Sequence, residues 1–267
     1  MSILVERTVL LAKVETTYGT DPSPDTSNNF IAVSDLRINP NITFNDPAAM
    51  DVTLSPRQGV AGGRFVEVTF THELQAHSSG GTNPPPIDPL LKACGFTSTT
   101  GDTYITYQPV STDFSSCTIY CYYDGLLWKI TGCRGNVEIA ATAGELVRFN
   151  FTLQGLWNTP TDETFPSSVT ENATNPLVAM GGTFTWGSDT PVIESFNLNM
   201  NNEINMAPSI GNTYAFYAAY ITNRNPSGTI NPEMTTLSDI DWFSKLNNAT
   251  LEPVSYTHLT LPTTERV

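Results

Sequence analysis

Asp124-Gly125 is the feature that most limits what this chain can fold into. It sits between Thr118-Ile119-Tyr120-Cys121-Tyr122-Tyr123 and Leu126-Leu127-Trp128-Lys129-Ile130. Both central residues of a type I′ turn need φ > 0, so an Asp-Gly pair between aromatic or β-branched runs predicts a tight hairpin. A second turn is expected at Thr142-Ala143-Gly144-Glu145. After it, Val147, Phe149, Phe151 and Leu153 alternate with Arg148, Asn150, Thr152 and Gln154; only Glu145 and Leu146, at the turn, break the rule. Before it, Val137, Ile139 and Ala141 alternate with Asn136, Glu138 and Ala140. A period of two with one apolar and one polar face describes a sheet with one side on a core and the other on water. Residues 121–157 therefore read as four short strands joined by tight turns.

Other segments follow the same logic. Arg64 to Gln75 is a second long strand, with Val66, Val68, Phe70, His72 and Leu74 alternating with Glu67, Thr69, Thr71, Glu73 and Gln75. Thr8 to Glu15 suits a strand or a helix. Phe30 to Val33 and Leu36 to Phe44 read as short strands, as do Gly182 to Trp186, Val192 to Met200 and Thr213 to Thr222. Tyr18 to Asn29 and Asp46 to Gly63 read as loops. Ile87 to Gly95 reads as a short helix, with Asp88 as N-cap, Pro89 at N1 and Gly95 just past the end. Ser238 to Leu246 reads as a second helix, with Leu237, Ile240, Phe243 and Leu246 on one face. The Thr/Pro/Ser/Asn stretch Thr159 to Asn175 is the candidate division of residues 1–253 into halves, 1–158 and 176–253.

The 267 residues can bury a real core. Turn residues abound and long helix-forming runs are few, which points to a mainly β protein. Charged residues make up only 14%, and 12 Lys and Arg face 26 Asp and Glu, for a net charge of −14. That sign is opposite to what phosphate binding requires. No stretch is apolar and long enough to cross a membrane, and the N-terminus lacks a signal-peptide pattern.

Catalytic patterns are missing. His72-Glu73 followed by His77 has a spacing of five, whereas a zincin needs four, so that both imidazoles share a helical face. On a strand, His72 lies on the apolar side and reads as a satisfied core histidine. No nucleophile elbow or phosphate loop occurs. Asp239 with Asp241 reads as a solvated helix end, and Glu67 with Glu73 as a polar strand face; neither pair marks a glycosidase cleft. Cys94, Cys117, Cys121 and Cys133 read as buried free thiols. No metal, cofactor or enzymatic role is expected.

Val254 to Thr263 spells one reading frame of a sequencing-library adapter. Residues 254–267 are accordingly set aside as adapter-derived, C-terminal truncation is inferred, and the segment is expected to pack on nothing.

Three stretches carry a resemblance. Tyr123-Asp124-Gly125, with Leu126 to Ile139, Ala143-Gly144-Glu145 and Phe149 to Trp157, is similar to the central segment of tailed-phage tail tube proteins. Leu11 to Pro22 resembles the opening of such a family, and Ile221 to Glu233 a motif near its C-terminal third. The echo between Ile130-Thr131-Gly132-Cys133-Arg134-Gly135 and Ile221-Thr222-Asn223-Arg224-Asn225-Pro226 is too short to establish an internal repeat.

The resemblance implies a tail-tube-type β-sandwich or barrel with long hairpins and one or two short helices. It implies a structural virion protein that is assembled in the host cytoplasm and stacks as rings, usually hexameric, into a tube. Its partners would be other copies of itself, a tape-measure protein, and terminator and tip proteins. DNA would pass through the lumen without specific binding, and no membrane is involved. Loops 18–29 and 46–63 would reach neighbouring subunits. The candidate lumen-facing residues are Glu67, Thr69, Thr71 and Glu73 on one strand, and Asn136, Glu138, Arg148, Asn150 and Thr152 on the hairpin. Together they are expected to form an electronegative lining that DNA does not adsorb to. The other reading of the same pattern is a β-sandwich receptor- or glycan-binding module, or a decoration protein, of a phage particle.

Overall fold

A computed structural model describes residues 7–48, 57–77, 83–102, 104–247 and 254–257. The first half contributes β1 (Thr8–Val14), β2 (Phe30–Ile31), β3 (Ser34–Asn45), β4 (Val60–Glu73), α1 (Asp88–Ala93), β5 (Phe96–Thr100) and β6 (Ile105–Pro109). Next come β7 (Cys117–Tyr123), β8 (Leu126–Thr142), β9 (Arg148–Leu156) and β10 (Thr161–Asp162). The remainder is β11 (Thr183–Trp186), β12 (Ile193–Asn199), β13 (Asn202–Pro208), β14 (Phe216–Arg224), β15 (Ser227–Pro232), α2 (Trp242–Asn247) and β16 (Val254–Thr257).

The chain is mainly β, and β8 is its axis. Asp124 and Gly125 have φ of 36° and 107°, as the I′ turn between β7 and β8 demands. The expected four strands of 121–157 are three, because β8 does not stop at Gly132-Cys133. It passes through an irregularity between Thr131 and Arg134, where Gly132 takes a φ of 63°. That bulge bends β8 and lets it belong to two sheets. Its first part pairs with β7, which pairs with β1 and then β2. Its second part pairs with β9 on one side and β12 on the other; β9 continues to β4 and β3, and β12 to β15.

The core lies where the apolar faces meet. Val66, Val68, Phe70, Val137, Phe151 and Leu153 are buried together with Leu10, Ile119, Ile130, Leu90 and all four cysteines. The cysteines are free thiols, and Cys117 lies opposite Cys133 in register. A second cluster of Val9, Leu11, Tyr120 and Leu127 lies under Phe165 and Val169. The Thr/Pro/Ser stretch read as the division between halves therefore lies across this second cluster, with β10 pairing Leu126 and Leu127. Strands from both sides of it share one sheet.

Several local readings are corrected. The strand read as Arg64–Gln75 begins at Val60, because Val60 and Ala61 pair with Asn45 and Phe44. Asp88 is not the N-cap of α1; Ile87 holds that position. The Asp88 carboxylate instead accepts from Lys92 Nζ at 2.7 Å and Tyr107 OH at 2.8 Å. The second helix starts at Trp242, four residues late. Asp241 caps it, accepting from Ser244 N at 2.9 Å, and Leu237 and Phe243 of its supposed core face are exposed. Residues 254–257, expected to pack on nothing, pair antiparallel with β11. Val-Ser-Tyr-Thr is a β-prone run, and an open strand edge recruits backbone without reading side chains.

Candidate functional site

The polar side of the larger sheet gathers every candidate residue from the sequence. Register fixes this, since directly paired residues point the same way. Across β4 and β9, Glu67 faces Gln154, Thr69 faces Thr152, Thr71 faces Asn150 and Glu73 faces Arg148. Across β9 and β8, Thr152 faces Asn136 and Asn150 faces Glu138. The nine candidates therefore form one patch on three adjacent strands. Arg148 and Thr152 are exposed and the other seven half-buried.

The patch extends further than the sequence reading placed it. On β3, Arg37 pairs with Thr69 and Asn39 with Glu67. On β12, Asn199 pairs with Glu138 and Asn197 with Ala140, and β15 adds Ser227 and Thr229 opposite Asn199 and Asn197. Six strands thus present a surface of amides and hydroxyls. Their sequence signal was the Asn at every second position of Asn197-Leu198-Asn199, which periodicity alone did not connect to β8.

Hydrogen bonds run between strands within this surface. Asn197 Nδ2 donates to Glu138 Oε1 at 2.6 Å, and Asn136 Nδ2 to Asn199 Oδ1 at 2.7 Å. Thr71 Oγ1 donates to Asn150 Oδ1 at 2.8 Å, and Gln154 Nε2 to Glu67 Oε2 at 3.2 Å. The paired positions carry the carboxylates of Glu67, Glu73 and Glu138 and the guanidinium groups of Arg37 and Arg148; Glu194 adds a carboxylate that accepts from Asn231 Nδ2 at 2.5 Å, and Asp35 stands exposed at the irregularity of β3 between Ser34 and Arg37. Carboxylates therefore outnumber open guanidinium groups on this side.

Arg134 is committed to structure. Its guanidinium donates to the carbonyls of Phe114, Ser115 and Ala219 at 2.6, 3.2 and 3.0 Å. It lies 4.9 Å over the ring of Tyr18, whose hydroxyl donates to Gly132 O at 2.9 Å and accepts from Ala219 N at 2.6 Å. Burial pushes the Tyr18 hydroxyl up to about 12. Arg224 behaves alike, reaching Gly95 O and Val110 O, each at 3.1 Å, and Asn202 Oδ1 at 3.0 Å. Asn202 in turn donates to Cys94 O and Gly135 O. The three sequence stretches noted above therefore meet here, where the β13–β14 hairpin is fastened to the main sheets. Glu15, Tyr18, Asn202 and the arginine clamps were not legible as a group, because their partners lie far apart in sequence.

His72 is buried, its Nδ1 donating to Ala32 O at 2.7 Å, while Nε2 has no partner. Burial lowers its pKa. It is a core histidine, though only half satisfied. Among the described residues, no three His, Cys, Asp or Glu side chains gather as metal ligands would. No helix among them is long and apolar enough to cross a membrane, which says nothing about strands.

A family model described as phage tail tube protein matches residues 6–265. The matched span includes most of the segment set aside as adapter-derived. No curated protein matches the chain.

Proposed function

The chain belongs to the phage tail tube protein family, and from that premise we propose that the six-strand polar face lines the conduit through which DNA leaves the particle. The family makes the chain a structural component of the virion tail that assembles with copies of itself. The finer reading is that copies close into rings, that rings stack, and that β4, β8 and β9 turn their polar sides inward. Tape-measure, terminator and tip proteins are the proposed tail partners. The work is assembly and containment, so no catalytic group is required.

One observation carries the reading. The larger sheet has its apolar side on the core and a continuous, hydrogen-bonded amide and hydroxyl surface on the other. Such a surface suits sliding contact with a hydrated polymer better than adhesion to a protein partner, whose contact centres are rich in aromatic side chains. No feature favours the receptor- or glycan-binding alternative.

The test is electron microscopy of the assembled protein, with Thr152→Cys carrying a heavy-atom label. Density on the bore supports the reading. Density on the outer wall, or a protein that stays monomeric under all assembly conditions, rejects it.

A further inference from the structure

We propose that copies of this chain join head to tail through an apolar knob at Ile210 and an open pocket at the far end of the sheet. The contact requires only that copies assemble, whichever face lines the bore.

The knob is the turn between β13 and β14. Ile210 is fully exposed there, yet the turn that carries it is ordered by hydrogen bonds. Ser209 N donates to Ala215 O at 2.7 Å, Ala215 N to Asn212 O at 3.0 Å and Asn212 Nδ2 to Phe216 O at 3.0 Å. A branched apolar side chain held out to water on a fixed turn adds nothing to the fold, and a fixed turn loses little entropy on docking. Arg64 N donates to Tyr214 O, so this turn lies at the same end of the sheet as Phe44 and Val60, which are exposed on the β3–β4 hairpin.

The pocket lies at the other end. It has a volume of about 380 Å³ and is lined by Ala141, Ala179, Met180, Val192, Ile193 and Phe196, among others. Glu73, in register with Arg148 and through it with Ala140, marks its level on β4. From Arg64 to Glu73 is about 30 Å of strand, at about 3.3 Å per residue. A copy therefore cannot fill its own pocket with its own knob. A knob and a pocket on different surfaces make a heterologous contact, which repeats from copy to copy, as a tube requires, where an isologous contact stops at a dimer.

The charges around the two ends are complementary. Among the described residues, Arg57 and Arg64 lie at the knob end against one carboxylate, Asp46. The Arg64 guanidinium lies over the rings of Trp157 and Tyr214, and no carboxylate among those residues pairs with it. At the pocket end Glu145, Glu194 and Glu233 stand exposed, while Arg148 faces Glu73 in register. Opposite charges at the rims orient the encounter and fix its register, and the apolar centre supplies the burial.

The experiment uses the full chain carrying either Ile210→Cys or Val192→Cys, mixed under assembly conditions and treated with a short bifunctional maleimide. The four native cysteines are buried and do not compete. The expected result is a cross-link between the two substituted positions that is absent from either protein alone. Ile210→Ala should raise the concentration needed for assembly about tenfold or more, the worth of burying one such side chain, with the melting temperature of the unassembled subunit unchanged. Ile210→Leu should assemble as wild type. Ile210→Cys coupling to itself as readily as to Val192→Cys would overturn the proposal, and so would Ile210→Ala assembling at the wild-type concentration. Coupling of Val192→Cys to Leu261→Cys within one chain would give the pocket to the chain's own C-terminal residues, with the same consequence. The Thr152→Cys label is read in the same assemblies, so a missing contact and a misplaced bore are told apart.

Discussion

Glu15 Oε1 lies 2.6 Å from the backbone nitrogen of Gly132, 117 residues further along the chain. The same buried carboxylate accepts from Gly19 N at 2.7 Å, Ser116 Oγ at 2.5 Å and Thr118 Oγ1 at 2.7 Å. One side chain, placed just past the end of β1, therefore satisfies the loop after it, the start of β7 with the residue before it, and the bulge of β8. Gly132 is where β8 turns from one sheet into the other, so Glu15 holds the joint of the sandwich.

Glu15→Ala should therefore cost far more than a surface change. It leaves four donors without their acceptor in a buried site, each worth about 1 kcal/mol or more. A loss of about 4 kcal/mol is expected, or about 10 °C in melting temperature for a chain of this size. Thermal melting of the purified subunit checks it. A shift of only a degree or two would mean that water replaces the carboxylate and that the joint is not held there.

That joint also shows what sequence could and could not reveal. The turn at Asp124-Gly125 and the alternation on either side of Gly144 were legible because turn chemistry and a period of two are local. The bulge at Gly132 was not, since its cause lies at Glu15 and at Tyr18, whose ring a Cβ at Gly132 would approach to 2.7 Å. β13 and β15 escaped for another reason. Asn202-Glu-Ile-Asn-Met-Ala-Pro and Ser227-Gly-Thr-Ile-Asn-Pro are too polar to show a clear alternation, and they become strands only because β14 and β12 offer partners. The two separate alternations of β4 and the β8–β9 hairpin fall on one side of one sheet; Arg37 and the Asn ladder of β12 needed the register.

Gly125→Val should destabilise through backbone strain alone. Gly125 has a φ of 107°, and a Cβ there meets only Glu163 O, at 3.9 Å. A β-branched residue at that φ costs about 2 kcal/mol. Gly125→Asn, which tolerates positive φ better, should recover part of the loss in the same melting experiment. Equal losses for both would show that space, not backbone conformation, sets the cost.

Stability should fall in alkali through Tyr18. Its hydroxyl titrates near 10 in the unfolded chain and is pushed up to about 12 by burial. Above pH 10 the unfolded chain loses this proton while the folded one keeps it, so the tyrosine's contribution is intact below pH 10 and is lost as pH rises toward 12. The full loss is about 3 kcal/mol. Tyr18→Phe is less stable at neutral pH, because Gly132 O and Ala219 N lose their partner. Its melting temperature should nonetheless decline less steeply between pH 10 and 12. Parallel declines for both proteins would assign the effect to other buried groups.

Reversing the sign of the polar face should convert it from a bystander into a DNA-binding surface. Glu67, Glu73 and Glu138 lie on β4 and β8, flanking β9, within one register block. Changing all three to Lys raises the charge of the face by six, because each substitution adds two charges. Glu138→Lys also breaks the bond from Asn197, and Glu67→Lys the one from Gln154, at about 1 kcal/mol each for half-buried polar pairs. The core side of the sheet is untouched, so folding and tube formation should survive. Repeated around a ring, the three new lysines of each copy, with Arg37 and Arg148, would neutralise phosphates and release their counterions, which gives binding that weakens steeply with salt. Filter retention of duplex DNA by assembled tubes, measured across a salt series, reads this directly. Retention at low salt that vanishes at high salt, together with blocked ejection from particles carrying the variant, is the expected result. Tubes that form normally and still ignore DNA at low salt would mean that this face is closed to DNA in the assembly, whereas DNA retained with no block of ejection would place these strands on the outer wall.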